Sequence, residues 1–440
     1  MSRKILLVVA VAACGGGGNP IADSMPASDA TPDGPEETTR VDITARTLDQ
    51  TGNPDPTAIA IFYDEHDMPV SHGMTDANGQ AHGYLPHGGT VTVLRTVKDP
   101  GSSDRTVSIT TMRGVEPGDN LNFGVRPVEQ LTGAQDTMIA SYTPFDNSTM
   151  AMIKPCGGGA PTGSPGSPFS LVFFENCTTP TFDMLVLSFG SPREFIWMPD
   201  IPYVGGGGVT VPNTWQPMAT ITTTFENLPS GTTQFGVFVS ILVGPLLLEM
   251  NRGQFDLSAA TPSVSHQWPP GAGRGVVVRA FHGPGVDTDQ HVVFDPTGPS
   301  TVAVDLAALP LPSPGRATQT AQGVSWPETG APAGDLRYVS WLAEYVDPTQ
   351  RRNLFFWTFI ENPTSGTTST TLLPLPDDYA ALDPTRLLPV ALTLKGSFVE
   401  YLDYDNLAGY GAARPNAQQL ENIETGYVDG AHHIHRTRTP

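Results

Sequence analysis

Basic residues are scarce in this chain. Lysine and arginine number 23 against 44 aspartates and glutamates, which leaves a formal charge of −21. Such a balance repels phosphate backbones and anionic lipid, and it excludes nucleic acid as a partner. Charged residues of both signs make up only 15% of the sequence. Long apolar runs are also lacking. The most apolar stretch, Phe235 to Leu248, is broken by Gly244-Pro245. It falls short of the ~20 residues a spanning helix needs and reads as two buried strands joined at the Gly-Pro. Catalytic signatures are missing as well: there is no Gly-x-Ser-x-Gly elbow, no His-Glu-x-x-His, no P-loop and no dinucleotide fingerprint. Gly271-Ala-Gly273-Arg-Gly275 precedes a strand instead of following one, so it reads as a loop. Glu328, Asp335, Glu344 and Glu361 pair as glycosidase carboxylates only in the sense that the chain holds many acids.

What is abundant is glycine, at 46 residues, and proline, at 43. That density breaks helices, and Thr, Val and Phe fill the segments between. The composition argues for many short strands and long surface loops. The expected fold class is all-β, with tandem β-sandwich modules. Residues 41–127 read as a first sandwich, 128–212 as a second β-module, and 213–440 as a β-rich C-terminal region, either one large sandwich or two split near 311. Within the first, Val41-Asp-Ile-Thr-Ala-Arg-Thr alternates apolar and polar positions, the mark of a half-buried strand. Trp341 and Trp357 lie in strands that are apolar on both faces and read as core.

Cysteine is limited to Cys14, Cys156 and Cys177. No second Cys or His pair lies near the last two, which disfavours a metal site there. In an exported protein the simplest reading of Cys156 and Cys177 is a disulfide. It would close a loop of about 22 residues and stabilise by roughly 3 kcal/mol in the chain-entropy model.

The N-terminus begins with Arg3 and Lys4, continues through nine apolar residues, Ile5 to Ala13, and closes with Val11-Ala12-Ala13-Cys14. The run is too short for a membrane helix and fits a cleaved export signal. It resembles the lipobox of bacterial lipoproteins. The resemblance implies a signal peptide over residues 1–13 and a lipidated Cys14 as the mature first residue. The membrane is then a partner through that anchor. Gly15 after the cysteine favours the outer membrane, with the protein facing the surface or the periplasm. The alternative is a plain secretion signal with an incidental cysteine. Cleavage removes Arg3 and Lys4 and no acid, taking the charge to −23. Residues 14–40 then offer little apolar surface to bury and read as a disordered tether, with a root-mean-square span of roughly 25–30 Å.

Residues 41–95 carry a second resemblance. Gly52-Asn53-Pro54, Thr75-Asp76-Ala77-Asn78-Gly79, Leu85-Pro86-His87-Gly88 and Val91-Thr92-Val93 stand in the order of the loop, turn, turn and strand of the carboxypeptidase regulatory-like, or transthyretin-like, domain. This implies a small sandwich. It brings no peptidase residues, because such domains accompany enzymes, adhesins and transport proteins alike.

Metal candidates are few. His66, His72, His82 and His87 fall in one region beside Asp64, Glu65 and Asp67. A turn at Asp76–Gly79 that pairs His72 with His82 on one face would let two imidazoles share a divalent ion. A one-residue slip in register would separate them. His432, His433 and His435 stand in a basic C-terminal tail that reads as frayed. Asp403, Asp405 and Asn406 suggest a calcium loop, but Leu407 holds position five and no Glu closes position twelve, so only an irregular structural Ca²⁺ site remains. No other cofactor is expected. The reading that follows is a non-enzymatic cell-surface lipoprotein whose β-modules bind a protein, a glycan or an envelope component. The alternatives are a hydrolase with a loop-built site and a structural part of an envelope export assembly.

Overall fold

The structure, a computed structural model, describes residues 41–47, 53–85, 88–98, 104–116, 118–124, 135–141, 149–154, 159–161, 168–174, 180–188, 192–227, 234–243, 246–256, 263–270, 275–282, 289–295, 300–307, 310–387, 391–421 and 430–439. Cys14, Cys156, Cys177 and His87 lie outside the described residues, as does the expected tether. The chain is all-β, built of several sheets with a few short helical turns. Among the described residues, no helix is long and apolar enough to cross a membrane.

Period-two alternation builds a twelve-stranded sheet that draws on both ends of the sequence. From one edge its strands run Leu246–Asp256, Gln234–Val243, Gly275–His282, Asp289–Asp295, His433–Arg438 and Leu392–Tyr404. The order continues through Leu336–Val346, Arg352–Glu361, Arg105–Val115, Gly89–Lys98 and Ile59–Tyr63 to the far edge, Pro69–Met74. The Gly244-Pro245 break does separate two strands, as its sequence suggests. One junction is parallel: Arg352–Glu361 runs beside Arg105–Val115, with Asn353 opposite Arg105 and Ile360 opposite Met112. The expected first sandwich is therefore continued at that strand into the C-terminal part of the chain.

Both faces of this sheet are covered near that junction. Ala60, Phe62, Val91, Val93, Met112, Tyr338 and Ile360 point to one face. They meet Ala45, Ala81, Leu85, Leu121 and Phe123 from a three-stranded sheet of Gln80–Leu85, Val41–Thr47 and Asn120–Phe123. The helical turns Tyr410–Ala413 and Ala417–Leu420 extend the same cover, and Tyr338 Oη donates to Ala417 O at 2.5 Å. Ile61, Tyr63, Leu94, Ile109, Trp341, Trp357 and Phe359 point to the opposite face and pack on Val324, Trp326, Leu372, Leu373 and Leu375. Trp341 and Trp357 stand directly opposite each other across two strands, both buried. Burying a large aromatic contributes roughly 1.5–3 kcal/mol, so this pair anchors the second core.

Two further sheets, drawn from residues 135–217, enclose a separate core. A five-stranded sheet orders Gly159–Pro161, Thr149–Lys154, Thr181–Ser188, Glu194–Pro202 and Gln216–Pro217. A three-stranded sheet orders Phe169–Phe174, Gln135–Ser141 and Gly208–Thr210. Met138, Leu171, Phe173, Phe182, Met184, Val186 and Ile196 fill one core between them.

Two local expectations change. The C-terminal tail is not frayed: His433–Arg438 is an interior strand, hydrogen-bonded to Asp289–Asp295 on one side and Leu392–Tyr404 on the other. Ile434, His435 and Thr437 of this strand are buried, which the basic composition of the segment conceals in sequence. The Asp76–Gly79 turn does not close a hairpin either. It passes the chain from the edge strand Pro69–Met74 of the large sheet to Gln80–Leu85 of the small one. Asp76 Oδ1 accepts from the Asn78 and Gln80 N–H groups, and Gly79 takes φ +69 where a Cβ would lie 2.3 Å from Thr47 O. Glycine is required there.

The interior also holds a carboxyl pair. Buried Asp335 accepts from the Tyr404 and Gly409 N–H groups, both at 2.8 Å, and lies beside Asp403. Burial pushes the Asp403 carboxyl up to about 6, the charge of Asp335 adds to the rise, and His435, opposite Asp403 in the sheet, works against it. A carboxyl raised on folding contributes stability that is present below its unfolded pKa of about 3.9 and lost as pH rises through the folded value. Asp403→Asn keeps a donor toward Asp335 and removes the ionisation. It should stabilise the protein by roughly 1–2 kcal/mol at pH 8, part of the full shift because the group is only half-buried. The gain should vanish near pH 4, as read from guanidinium unfolding midpoints at the two pH values.

Candidate ligand-binding site

The structure places the candidate histidines in several different settings. His72 and His82 belong to different sheets, yet both line one cavity of about 260 Å³ together with Asp76 and Gln80. His72 Nε2 is held 3.1 Å from Asp378 Oδ2, and its ring stands edge-on to Tyr379. His432 is exposed, with its N–H donating to Asp405 Oδ1 at 2.9 Å. His433 is half-buried, and buried His435 stacks on His291 with centroids 3.9 Å apart. Among the described residues, the group whose three ligand atoms converge within 4.8 Å is Asp64, Glu65 and His66. Asp64 is occupied there in closing its own turn, accepting from the His66 and Met68 N–H groups. Asp403 faces Asp335 across strands, away from a calcium-loop arrangement.

A row of polar side chains crosses the large sheet at the parallel junction. Register fixes it. Arg337 stands opposite Tyr401 on one side and Glu361 on the other. Glu361 follows Ile360, the partner of Met112, so Arg113 is next in line. Thr90 stands opposite Arg113. Beyond it Asp67 reaches in from the turn between Ile59–Tyr63 and Pro69–Met74. Asp64 caps that turn, and Asp67 takes φ +60, a left-handed conformation that aspartate tolerates better than most residues. Charges thus alternate across the sheet: Arg337, Glu361, Arg113, Asp67.

The row grades from interior to surface. Arg337 is fully buried and its guanidinium is saturated. Its Nη2 lies 2.7 Å and its Nε 3.2 Å from Glu361 Oε2, and Nη1 donates to Thr367 O at 2.8 Å. Nη2 also reaches Ser365 Oγ and Thr367 Oγ1, and the Trp326 ring lies 5.3 Å from the guanidinium carbon. Thr370 Oγ1 donates to the other oxygen of Glu361 at 2.9 Å. Arg113 lies 3.4 Å from that oxygen and pairs with Asp67 Oδ2 at 3.0 Å. The side chains of Arg113 and Asp67 remain 28% and 35% exposed. Above them lies a cavity of about 320 Å³, rimmed by Asn362, Ser365, Thr367, Ser369 and Thr371. The rim is shaped locally: Asn362 caps a single 3-10 turn with Pro363 at its start, and Gly366 ends it at φ +68.

Chemically the arrangement presents fixed donors and acceptors. Both acids are paired with arginine, and the rest of the lining is hydroxyl, amide and backbone. These groups can donate to and accept from a ligand in a fixed geometry. In the sequence, Asp67 stands out only as an acid beside the candidate metal-binding histidines and Glu361 only as one acid among many, while Arg113 and Arg337 carry no motif. One signal was present. Arg337 shares the alternation phase of Val339 and Trp341, so a charge occupied an inward position.

No protein-family model matches this chain, and no curated protein sequence matches it. Solved structures give distant likenesses. The Bacillus anthracis TIE protein is 9% identical over 61% of this chain and 50% of its own, with a TM-score of 0.15, so the chain spans about half its length. The Streptococcal ancillary pilin is 9% identical over 60% of this chain and 98% of its own, at a TM-score of 0.16. The pilus adhesin SpaC from Lactobacillus rhamnosus GG is 8% identical over 77% of this chain and 44% of its own, at 0.15. TM-scores this low define no shared fold.

Removing the buried acid should expose how tightly the row is balanced. Glu361→Gln leaves the Arg337 charge buried without a counter-ion and should cost about 3–5 kcal/mol. Combining it with Arg337→Met should restore much of that loss, because both charges then leave the interior together. Guanidinium unfolding of the two single variants and the double variant gives the coupling.

Proposed function

We propose that this chain is a non-enzymatic binding protein of the bacterial cell envelope. It is held to the membrane by lipid on Cys14 and presents its β-modules for recognition. The observation that carries the reading is the cavity at the parallel junction. It is open to solvent, and its polar groups are already fixed by ion pairs within the fold, as a preorganised binding surface requires. Catalysis would call for a reacting group in that setting. The acids there are paired with arginine, and Glu361, the carboxylate that accepts from the Thr370 hydroxyl, is committed to the buried Arg337 guanidinium. The acidic overall charge suits a protein that must stay soluble while displayed at a surface.

The test is retention. Purified full-length protein is mixed with intact cells, isolated peptidoglycan and extracted envelope polysaccharide. Saturable retention on one fraction, weakened by Asp67→Asn, supports the reading. Failure to bind all three overturns it.

The anchor has its own test. Cys14→Ser should move the protein from the membrane fraction to the soluble fraction and abolish labelling by a radioactive fatty acid. A variant that still sediments with membrane and still labels overturns the lipid assignment.

A further inference from the structure

We propose that the cavity beside Arg113 and Asp67 binds one neutral, polyhydroxylated ring, a single sugar residue of a glycan. This rests on the binding reading above and names its ligand class.

Charge is the first argument. The row contributes two guanidinium and two carboxylate groups, in alternating order, so the floor of the cavity is neutral as a whole. An incoming anion would meet Asp67 and Glu361, and an incoming cation would meet Arg113. Each would also lose its hydration to reach a site with no net countercharge. A neutral ligand avoids both costs.

The second argument is which groups are still open to a ligand. Arg337 is committed to Glu361, Ser365 and Thr367, and Glu361 to Arg337 and Thr370. Arg113 and Asp67 are the partly exposed members. Arg113 Nη2 meets Thr371 O only at 3.5 Å, and Asp67 Oδ1 meets Thr90 Oγ1 only at 3.4 Å, the long end of hydrogen bonding. An acceptor and a donor therefore sit side by side, tied together at 3.0 Å. Two neighbouring hydroxyls are the complement of such a pair, since each can donate to one group while accepting from another. The Ser369 hydroxyl on the rim can serve either role, whereas those of Ser365 and Thr367 accept from Arg337 and bond each other at 2.9 Å.

Size is the third argument. About 320 Å³ lies at the lower end of ligand pockets, which run from about 300 to 1,000 Å³. One ring fits such a volume, with the remainder of a glycan leaving across the exposed Ser369 and Thr371. No aromatic side chain lines the cavity, so binding energy comes from a few hydrogen bonds of about 0.5–1.5 kcal/mol each. Affinity for a free monosaccharide should therefore be roughly millimolar. Many copies on one surface would raise the effective affinity for a polymer.

Saturation-transfer NMR on the full-length protein tests this with glucose, galactose, mannose and N-acetylglucosamine as neutral probes and glucuronic acid as the charged one. We expect transfer to at least one neutral sugar and weaker transfer to the acid. Asp67→Asn should reduce it roughly tenfold or more, and Ser369→Trp, at an exposed rim position, should block it by filling the mouth. His72→Ala, in the other cavity, should leave it unchanged, and thermal melts confirm that each variant is folded. Transfer to glucuronic acid alone, or transfer that survives both Asp67→Asn and Ser369→Trp, overturns the assignment. No transfer to any sugar also overturns it. If Asp67-dependent retention on an envelope fraction persists in that case, the broader binding reading stands and only the ligand class falls.

Discussion

Parallel pairing of Arg105–Val115 with Arg352–Glu361 joins strands that lie 248 positions apart at Arg105 and Asn353. The rest of the large sheet grows outward from that junction. On one side stand the strands of the first region, on the other those of the C-terminal part. A parallel pair needs a crossover, and here the crossover contains an entire β-module. Its entropic cost is smaller than its length suggests, because closure entropy grows only logarithmically and each doubling adds about 0.6 kcal/mol. What secures the junction is burial on both faces together with the ion row that crosses it. Arg113 from one strand and Arg337 from beyond the other converge on Glu361, so a slip of one residue would strand three charges. Assembly must await residues far apart in the chain, and contacts of such long range fold slowly.

The individual strands were legible in sequence because their signal is local. Val41–Thr47, Phe169–Phe174 and Leu354 to Ile360 announce themselves by alternation and by β-branched and aromatic content, and Gly244-Pro245 marks a real break. The junction itself was not legible, since nothing within a window of ten residues states which distant strand is the neighbour. The C-terminal strand shows the same limit. His433-Ile-His-Arg-Thr-Arg is polar in composition, and it becomes an interior strand because Glu400 lies opposite Arg438 and within ion-pair distance of Arg436. Composition reads such a segment as solvent-facing until its counter-ion is known.

The candidate site was hidden for a related reason. Its four charged residues come from a turn and three strands, and only register places them in line. His72 and His82 carried a more visible signal, being close in sequence and of ligand type. The structure gives them one cavity, but from two different sheets. Proximity along the chain was thus a weaker guide than inward phase, for Arg337 shares its face with Val339 and Trp341. A charge on an apolar face requires a partner, and looking for that partner leads to Glu361, then to Arg113, then to Asp67.

The row also explains why a preorganised cavity lies at this end of the sheet. Orienting polar side chains for a ligand costs rotamer freedom, often 0.5–1.5 kcal/mol per side chain. Arg113 has met most of that cost during folding: Glu361 and Asp67 flank it, and the Phe359 ring lies 5.8 Å from its guanidinium carbon. Asp67 is held in turn by its own left-handed turn and by Arg113. Order therefore passes outward from a saturated Arg337 to groups that still touch water. A wholly buried network would offer a ligand nothing, and a wholly exposed one would have to be ordered by each binding event. The gradient places fixed but unsaturated groups at the surface, and it exists because the same ion pairs hold the parallel junction together. Stability of the sheet and shape of the cavity are consequently one property, and a substitution that loosens Glu361 should disorganise the cavity itself.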